Sequence, residues 1–235
     1  MNILKDIKRS LKKTLLPKGL APRRVLAGEL KGFRMMLDLQ EDTQVWRGVY
    51  ERALQEWVRE QVKPKSVCLD VGAAEGWASL LLAKYASEGN VYAFEPSNRG
   101  ALIEEMFRLN ADKKLASLQV VNAFVGNPSV GGESLEVTHA IPTLSIDAFF
   151  AMHPLNACDV IKIDVDGPEV DVLDGAVDVI RRYKPKMCIE IHSREAFDDV
   201  NARLAKWGYT TFVTYPPRHE HRPIEFNPMI FAVVS

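Results

Sequence analysis

From residue 66 onward, short apolar runs alternate with longer stretches whose apolar residues recur at helical spacing. VCLDV, VYAFEP, LQVVNAFVG, DVIKIDVDG and KMCIEIH have the texture of buried strands. Between and after them, WASLLLAKYA, NRGALIEEMFRLNA, TLSIDAFFAM, EVDVLDGAVDVIRRY and REAFDDVNARLAKWG have that of helices. A Gly/Ser-rich excursion through Gly132 follows the third strand. Apolar strands alternating with amphipathic helices predict an α/β fold: a mostly parallel sheet with helices on both faces. YTTFVTY and MIFAVVS close the chain as two more strands. Too little chain separates them for a helix, so they are expected to be antiparallel neighbours.

The chain ahead of this alternation has a different texture. RVLAGELKGFRMMLDL predicts a hairpin of short strands around Gly28 and Gly32. DTQVWRGVYERALQEWVREQV predicts one helix, capped by Asp42 or Thr43 and stopped by Pro64. At the start, Ile3, Ile7, Leu11 and Leu15 recur every four residues among Lys5, Lys8, Arg9, Lys12 and Lys13, a basic amphipathic helix. It is read as a terminal helix laid over the core with solvated lysines. The sharper alternative is peripheral contact with an anionic membrane surface. Residues 1–60 are thus expected to form a helical and hairpin extension packing on a domain of residues 61–235.

Composition narrows the class without deciding it. The 235 residues are 47% hydrophobic and carry a net charge of −1, which supports one full core and gives no sign of nucleic-acid binding. Cys68, Cys158 and Cys188 sit in or beside apolar runs without Cys-x-x-Cys spacing. They are expected to be reduced, buried thiols of a cytoplasmic protein. The sequence shows no signal-peptide pattern and no apolar run long enough to span a membrane, and it leaves an oligomer open.

In an open α/β sheet, ligands bind at the carboxyl ends of the strands. The first predicted strand ends Asp70-x-Gly72-Ala73-Ala74-x-Gly76. Gly72 allows the chain to turn where a side chain would collide with a ligand, and Gly76 allows the following helix to approach. Ala74 occupies the place of the glycine that admits a pyrophosphate, which argues against NAD or FAD. An acid such as Asp70 can instead hold or orient an ammonium group. The second strand ends in Glu95-Pro96, where an acid can accept hydrogen bonds from ribose hydroxyls. Together they ask for a nucleoside with a cationic amino-acid tail, and S-adenosylmethionine has both parts.

From about Val45 to its end, the chain resembles the FkbM-type family of class I S-adenosylmethionine-dependent methyltransferases. DVGAAEG at Asp70–Gly76 looks like the family's DVGANxG, with alanine for the usual asparagine. VYAFEPS, SIDAFF with Asp147, IEIH and the stretch Trp46 to Glu51 also match. The most specific match is IKIDVDGPEVDVLDGA against IKIDVEGxExxVLxGA, with Asp166 in place of glutamate. The resemblance implies a Rossmann-like sheet of seven strands with an antiparallel last strand. It also implies methyl transfer, usually to oxygen, often on a sugar, a glycan or a natural product.

The cofactor is accordingly expected against Asp70, Gly72, Ala73, Gly76, Glu95, Pro96, Asn122 and Asp164. A hydroxyl acceptor gains from a general base. Asp164, Asp166 and His192 are the candidates, and His192 is equally readable as a helix cap or surface histidine. Asp164, Asp166, Glu190 and His192 can also hold Mg²⁺ or Ca²⁺, or can serve a structural network. Glu169 is read as a first-turn acid suited to the helix dipole, and Lys162 as the partner of an acid. Arg218, His219, His221 and Arg222, between the last two strands, can bind an anionic acceptor, offer His-x-His as a metal pair, or lie in a solvated loop. The competing function is a methyltransferase-like protein without turnover, a scaffold docked to a membrane-associated glycan assembly.

Overall fold

A computed structural model describes residues 16–127, 141–215 and 227–234. The basic N-terminal helix, most of the Gly/Ser-rich excursion and the Arg218–Arg222 cluster fall outside these residues. A hairpin of β1 (Ala21–Arg24) and β2 (Arg34–Leu37) comes first, in antiparallel register. The main sheet has seven strands: β3 (Val67–Val71), β4 (Asn90–Phe94), β5 (Ser117–Val121), β8 (Val160–Ile163), β9 (Lys186–Glu190), β10 (Thr210–Thr214) and β11 (Met229–Val233). Two-residue strands β6 (Phe124–Val125) and β7 (Thr143–Leu144) pair with each other apart from it.

The spatial order is β10-β11-β9-β8-β3-β4-β5. All pairings are parallel except those of β11, which runs antiparallel between β9 and β10. Strand order reverses between β3 and β8, so a crevice opens at their carboxyl ends.

Each central strand is buried on both faces, which is why its sequence is apolar without alternation. Leu69, Ile161, Met187 and Ile189 face one core, with α5 (Ile146–Met152), α6 (Glu169–Asp174), α7 (Val177–Tyr183) and α8 (Arg194–Lys206). Cys68, Val160, Cys188 and Phe231 face the other, with α2 (Arg52–Gln61), α3 (Trp77–Tyr85) and the hairpin. Leu54, Trp57 and Val58 of α2 are almost wholly buried there, each aliphatic side chain contributing ~1.5–3 kcal/mol. Residues 78–83 of α3 are all buried because this helix lies beneath α2, which explains its apolar residues on every side. No helix of the described residues is long and apolar enough to cross a membrane.

Three predicted elements are interrupted. The single helix expected over 42–62 is α1 (Thr43–Trp46) and α2, separated by Gly48 and Glu51 in left-handed conformation. Neither predicted cap acts: Asp42 accepts from the Asp38 amide and the Thr43 hydroxyl donates to the Leu39 carbonyl. The strand expected through Gly126 splits into β5 and β6. The helix after β8 breaks at Gly175 into α6 and α7, and Asp147 caps the second piece by accepting from the Asp178 and Val179 amides.

Gly48 seats α1 against the hairpin: φ is +68°, and a Cβ would collide with the Ala27 carbonyl. Gly48→Ala is therefore expected to cost about 2 kcal/mol or more and to lower Tm by roughly 4–8 °C, read by thermal denaturation.

Candidate active site

The crevice at the reversal point is built around one buried lysine. Lys162 lies on β8 directly beside Asp70 on β3. Its ammonium lies 3.1 Å from Asp70 and 3.4 Å from Asp164, and donates to the Gly72 carbonyl at 2.8 Å. Burial opposes its charge, but Asp70 and Asp164 outweigh burial and hold its pKa above the ordinary range. Asp70 is fully buried, and its other oxygen accepts from the Ser79 hydroxyl at 2.6 Å. The structure thus gives Asp70 an ammonium partner within the protein: it acts on the crevice through Lys162.

The loop after β3 is held from below. The Gly72 and Ala73 amides donate to the Phe94 carbonyl, and the Ala74 amide donates to Glu95 at 2.8 Å. The other Glu95 oxygen accepts from the amide and hydroxyl of Ser97. With 6% exposure, Glu95 organises the loop, and it meets a ligand only with the lone pairs those three donors leave. Pro96 follows it half-buried, and Asn122 is exposed, its amide donating to the Ser97 carbonyl at 3.3 Å. A Cβ on Gly72 would strike the Asp164 carbonyl, so this glycine serves the approach of β8. Gly76 admits Ile103 of α4 (Gly100–Leu109), rather than the helix that follows it.

Part of this loop floors a cavity of about 470 Å³, which Asp70, Gly76, Glu95, Pro96 and Asn122 do not line. Gly72–Glu75, Trp77, Lys162 and Asp164 form one side. Met35–Leu37, Glu41, Asp42, Gln44, Val45, Tyr50 and Glu51 form the other. The N-terminal segment, read from sequence as packing material, therefore supplies half of the lining. The signal lay in GVYE, a glycine and a break inside an otherwise helical pattern.

A second cluster surrounds His192. Its Nδ1 lies 2.5 Å from Glu169, and its Nε2 lies 3.3 Å from Asp166, 3.8 Å from Asp164 and 4.0 Å from Glu190. Glu169 is fully buried and also accepts from the Gly167 amide, so it is a built support for the imidazole. That bond, outweighing partial burial, raises the His192 pKa. The helix after β9 is capped by Ser193, so the capping role considered for His192 does not hold. Asp166, left-handed at φ +53° and with its side chain 96% exposed, is not the cap of α6; its carboxylate faces His192. Burial, with Asp164 and Glu51 adding, pushes Glu190 up to about 7. Asp164, Glu190 and His192 can bring one ligand atom each within 4.8 Å of the others.

Seven strands in this order, one antiparallel, with a glycine loop after the first and acids at the strand tips, define a Rossmann-like fold of the methyltransferase class. Residues 70–211 match the family model described as the Methyltransferase FkbM domain, and the chain belongs to that family. It is 25% identical over 239 residues to the hexuronic acid methyltransferase AglP of Haloferax volcanii, covering 94% of this chain and 96% of that protein. The crystal structure of Methyltransferase FkbM from Methylobacillus flagellatus KT shares the fold with a TM-score of 0.58 and 20% identity over 77% of this chain, which spans 46% of the length of that one. M. jannaschii TYW2 in complex with AdoMet shares it with a TM-score of 0.55 and 16% identity, over 92% of this chain and 86% of that one.

Removing one member of a buried ion pair strands the other. Lys162→Met is expected to cost about 3–5 kcal/mol in chemical denaturation, and adding Asp70→Asn should recover much of the loss. Equal, additive losses would mean that the pair is not coupled.

Proposed function

We propose that this methyltransferase moves a methyl group from S-adenosylmethionine to a hydroxyl of a sugar, within a glycan or a natural product. The observation that carries the reading is the buried Glu169 holding His192 on the rim of the crevice, beside Asp164. The family membership and the relative named as a hexuronic acid methyltransferase support the donor and acceptor classes.

The residues present fit the donor. The cavity falls within the ~300–1,000 Å³ usual for ligand sites. Its charged lining is mostly acidic, suited to a ligand with cationic groups. Glu95 holds the loop through the Ala74 amide, and Asp70 holds it through Lys162, which donates to the Gly72 carbonyl. When bound, S-adenosylmethionine supplies an activated methyl on a sulfonium. The protein's part is to align an acceptor oxygen and take its proton. With Nδ1 engaged by Glu169, the Nε2 of His192 is the atom available for that proton. Asp164 and Asp166 steady the imidazolium that results.

A second reading has a divalent cation at Asp164, Glu190 and His192, favoured by the proximity of their ligand atoms. Three protein ligands leave half or more of the six or more positions of Mg²⁺ or Ca²⁺ to water or acceptor hydroxyls. Activity lost to EDTA and restored by Mg²⁺ would select this reading; activity indifferent to EDTA would select His192 as base.

Calorimetric titration with S-adenosylhomocysteine, with NAD as control, comes first. Micromolar binding is expected of the homocysteine ligand alone, and a folded sample giving no heat would sink the enzyme reading in favour of the scaffold. In a uronic-acid acceptor assay, His192→Ala is expected to lower kcat by roughly 10²–10⁴ with cofactor affinity nearly unchanged. Because Glu169 raises the His192 pKa, wild-type activity should rise with pH through a midpoint above the ordinary ~6.5. Glu169→Gln should move that midpoint down, and an unmoved acid limb would exclude the pair.

A further inference from the structure

Tyr50 and Glu51 lie outside residues 70–211, yet they line the cavity opposite the glycine loop. The chain is contorted to put them there. Gly48 is pinned against Ala27, and Glu51 takes the left-handed conformation at φ +41°, unusual for a residue with a long side chain. Such conformations persist only where the surroundings impose them, and they gather at functional sites. The Tyr50 ring meets Trp77 edge to face at 5.0 Å, and Tyr50, Glu51 and Trp77 line the cavity together. Trp77 opens α3 directly after Gly76, so this wall touches the glycine loop.

The charge on this side is unbalanced. Lys162 is the cation that lines the cavity among the described residues, and it is committed to Asp70, Asp164 and the Gly72 carbonyl. Glu51 has no ion-pair partner of its own there. A carboxylate that lines a cavity together with two aromatic rings is a favourable environment for a compact cation, which gains from both the charge and the rings.

We propose that the Tyr50–Glu51–Trp77 wall reads the positive charge of the methyl donor and sets its preference for the sulfonium over the neutral thioether. The inference rests on the cofactor reading above and adds a direction to it. When the methyl leaves, the sulfur keeps the electron pair of the broken bond and becomes neutral. The acceptor oxygen gains the methyl and loses its proton to the base. Glu51 then faces an uncharged sulfur, so the wall that draws the donor in favours release of the spent form.

The test compares S-adenosylmethionine with S-adenosylhomocysteine by calorimetry at fixed pH and salt, a readout independent of turnover. Wild type should bind the charged form, and an analogue with a protonated amine at the sulfur position, more tightly than the thioether. Glu51→Gln, which keeps the shape, should weaken the sulfonium ligand by roughly tenfold and the thioether little. Glu51→Asp, which keeps the charge, should retain most of the preference. Equal weakening of both ligands by Glu51→Gln, or wild type showing no preference for either charged ligand, would overturn the proposal. If wild type binds none of the three, the cofactor reading itself falls and takes this inference with it. The wild-type comparison needs no variant, so a Glu51→Gln protein that fails to fold leaves the question answerable.

Discussion

Lys162 and Asp70 face each other on neighbouring parallel strands, in the interior of the sheet at the point where strand order reverses. A charge at that depth is tolerable only when paired and hydrogen-bonded. The pair meets this condition with Ser79 from α3, the Gly72 carbonyl and Asp164 at the end of β8. One ammonium group therefore ties the glycine loop to the strand tip beside the His192 cluster. The loop cannot move away from β8 without stranding a buried charge. Gly72 completes the junction, because its missing side chain is the space that the Asp164 carbonyl occupies.

The acids around this junction outnumber the cations, and the imbalance organises the site's chemistry. Glu51 and Glu190 both sit above the usual carboxylate range, burial being the largest cause and neighbouring acids adding to it. A site short of positive charge attracts a ligand that brings some. His192 stands at the edge of the same field. Its support by Glu169 is internal, and its second nitrogen faces Asp166 and Asp164. The glycine-loop side and the His192 side are thus two parts of one acidic surface, divided by Asp164.

Much of this was legible beforehand because strand tips announce themselves. A parallel strand buried on both faces is apolar until it leaves the core, so the first polar residues mark the edge where ligands bind. Asp70, Glu95, Asp164, Glu190 and His192 were found that way, and the family motif IKIDVDG pointed to the same edge. Glu169 was read as an acid suited to a helix dipole, which accounts for its place in α6 but not for its burial against His192. Lys162 was read as an acid's partner, which it is, without its grip on the loop.

The alternation of apolar runs and amphipathic stretches determined the fold, since each element has one way to bury its surface: strands side by side, helices on both faces, the last strand reversed for want of chain. It determined which residues end at the carboxyl edge. What tertiary structure alone decided was which of them meet. The break at Gly48 and Glu51 shows in the sequence only as the glycine of GVYE, and its geometry is imposed by contact with Ala27, 21 positions from Gly48. The same contact turns a segment that looked like packing into a wall of the cavity. Side-chain pairing across strands and loops depends on distances that local pattern does not contain, and it is those distances that make a row of acids into a site.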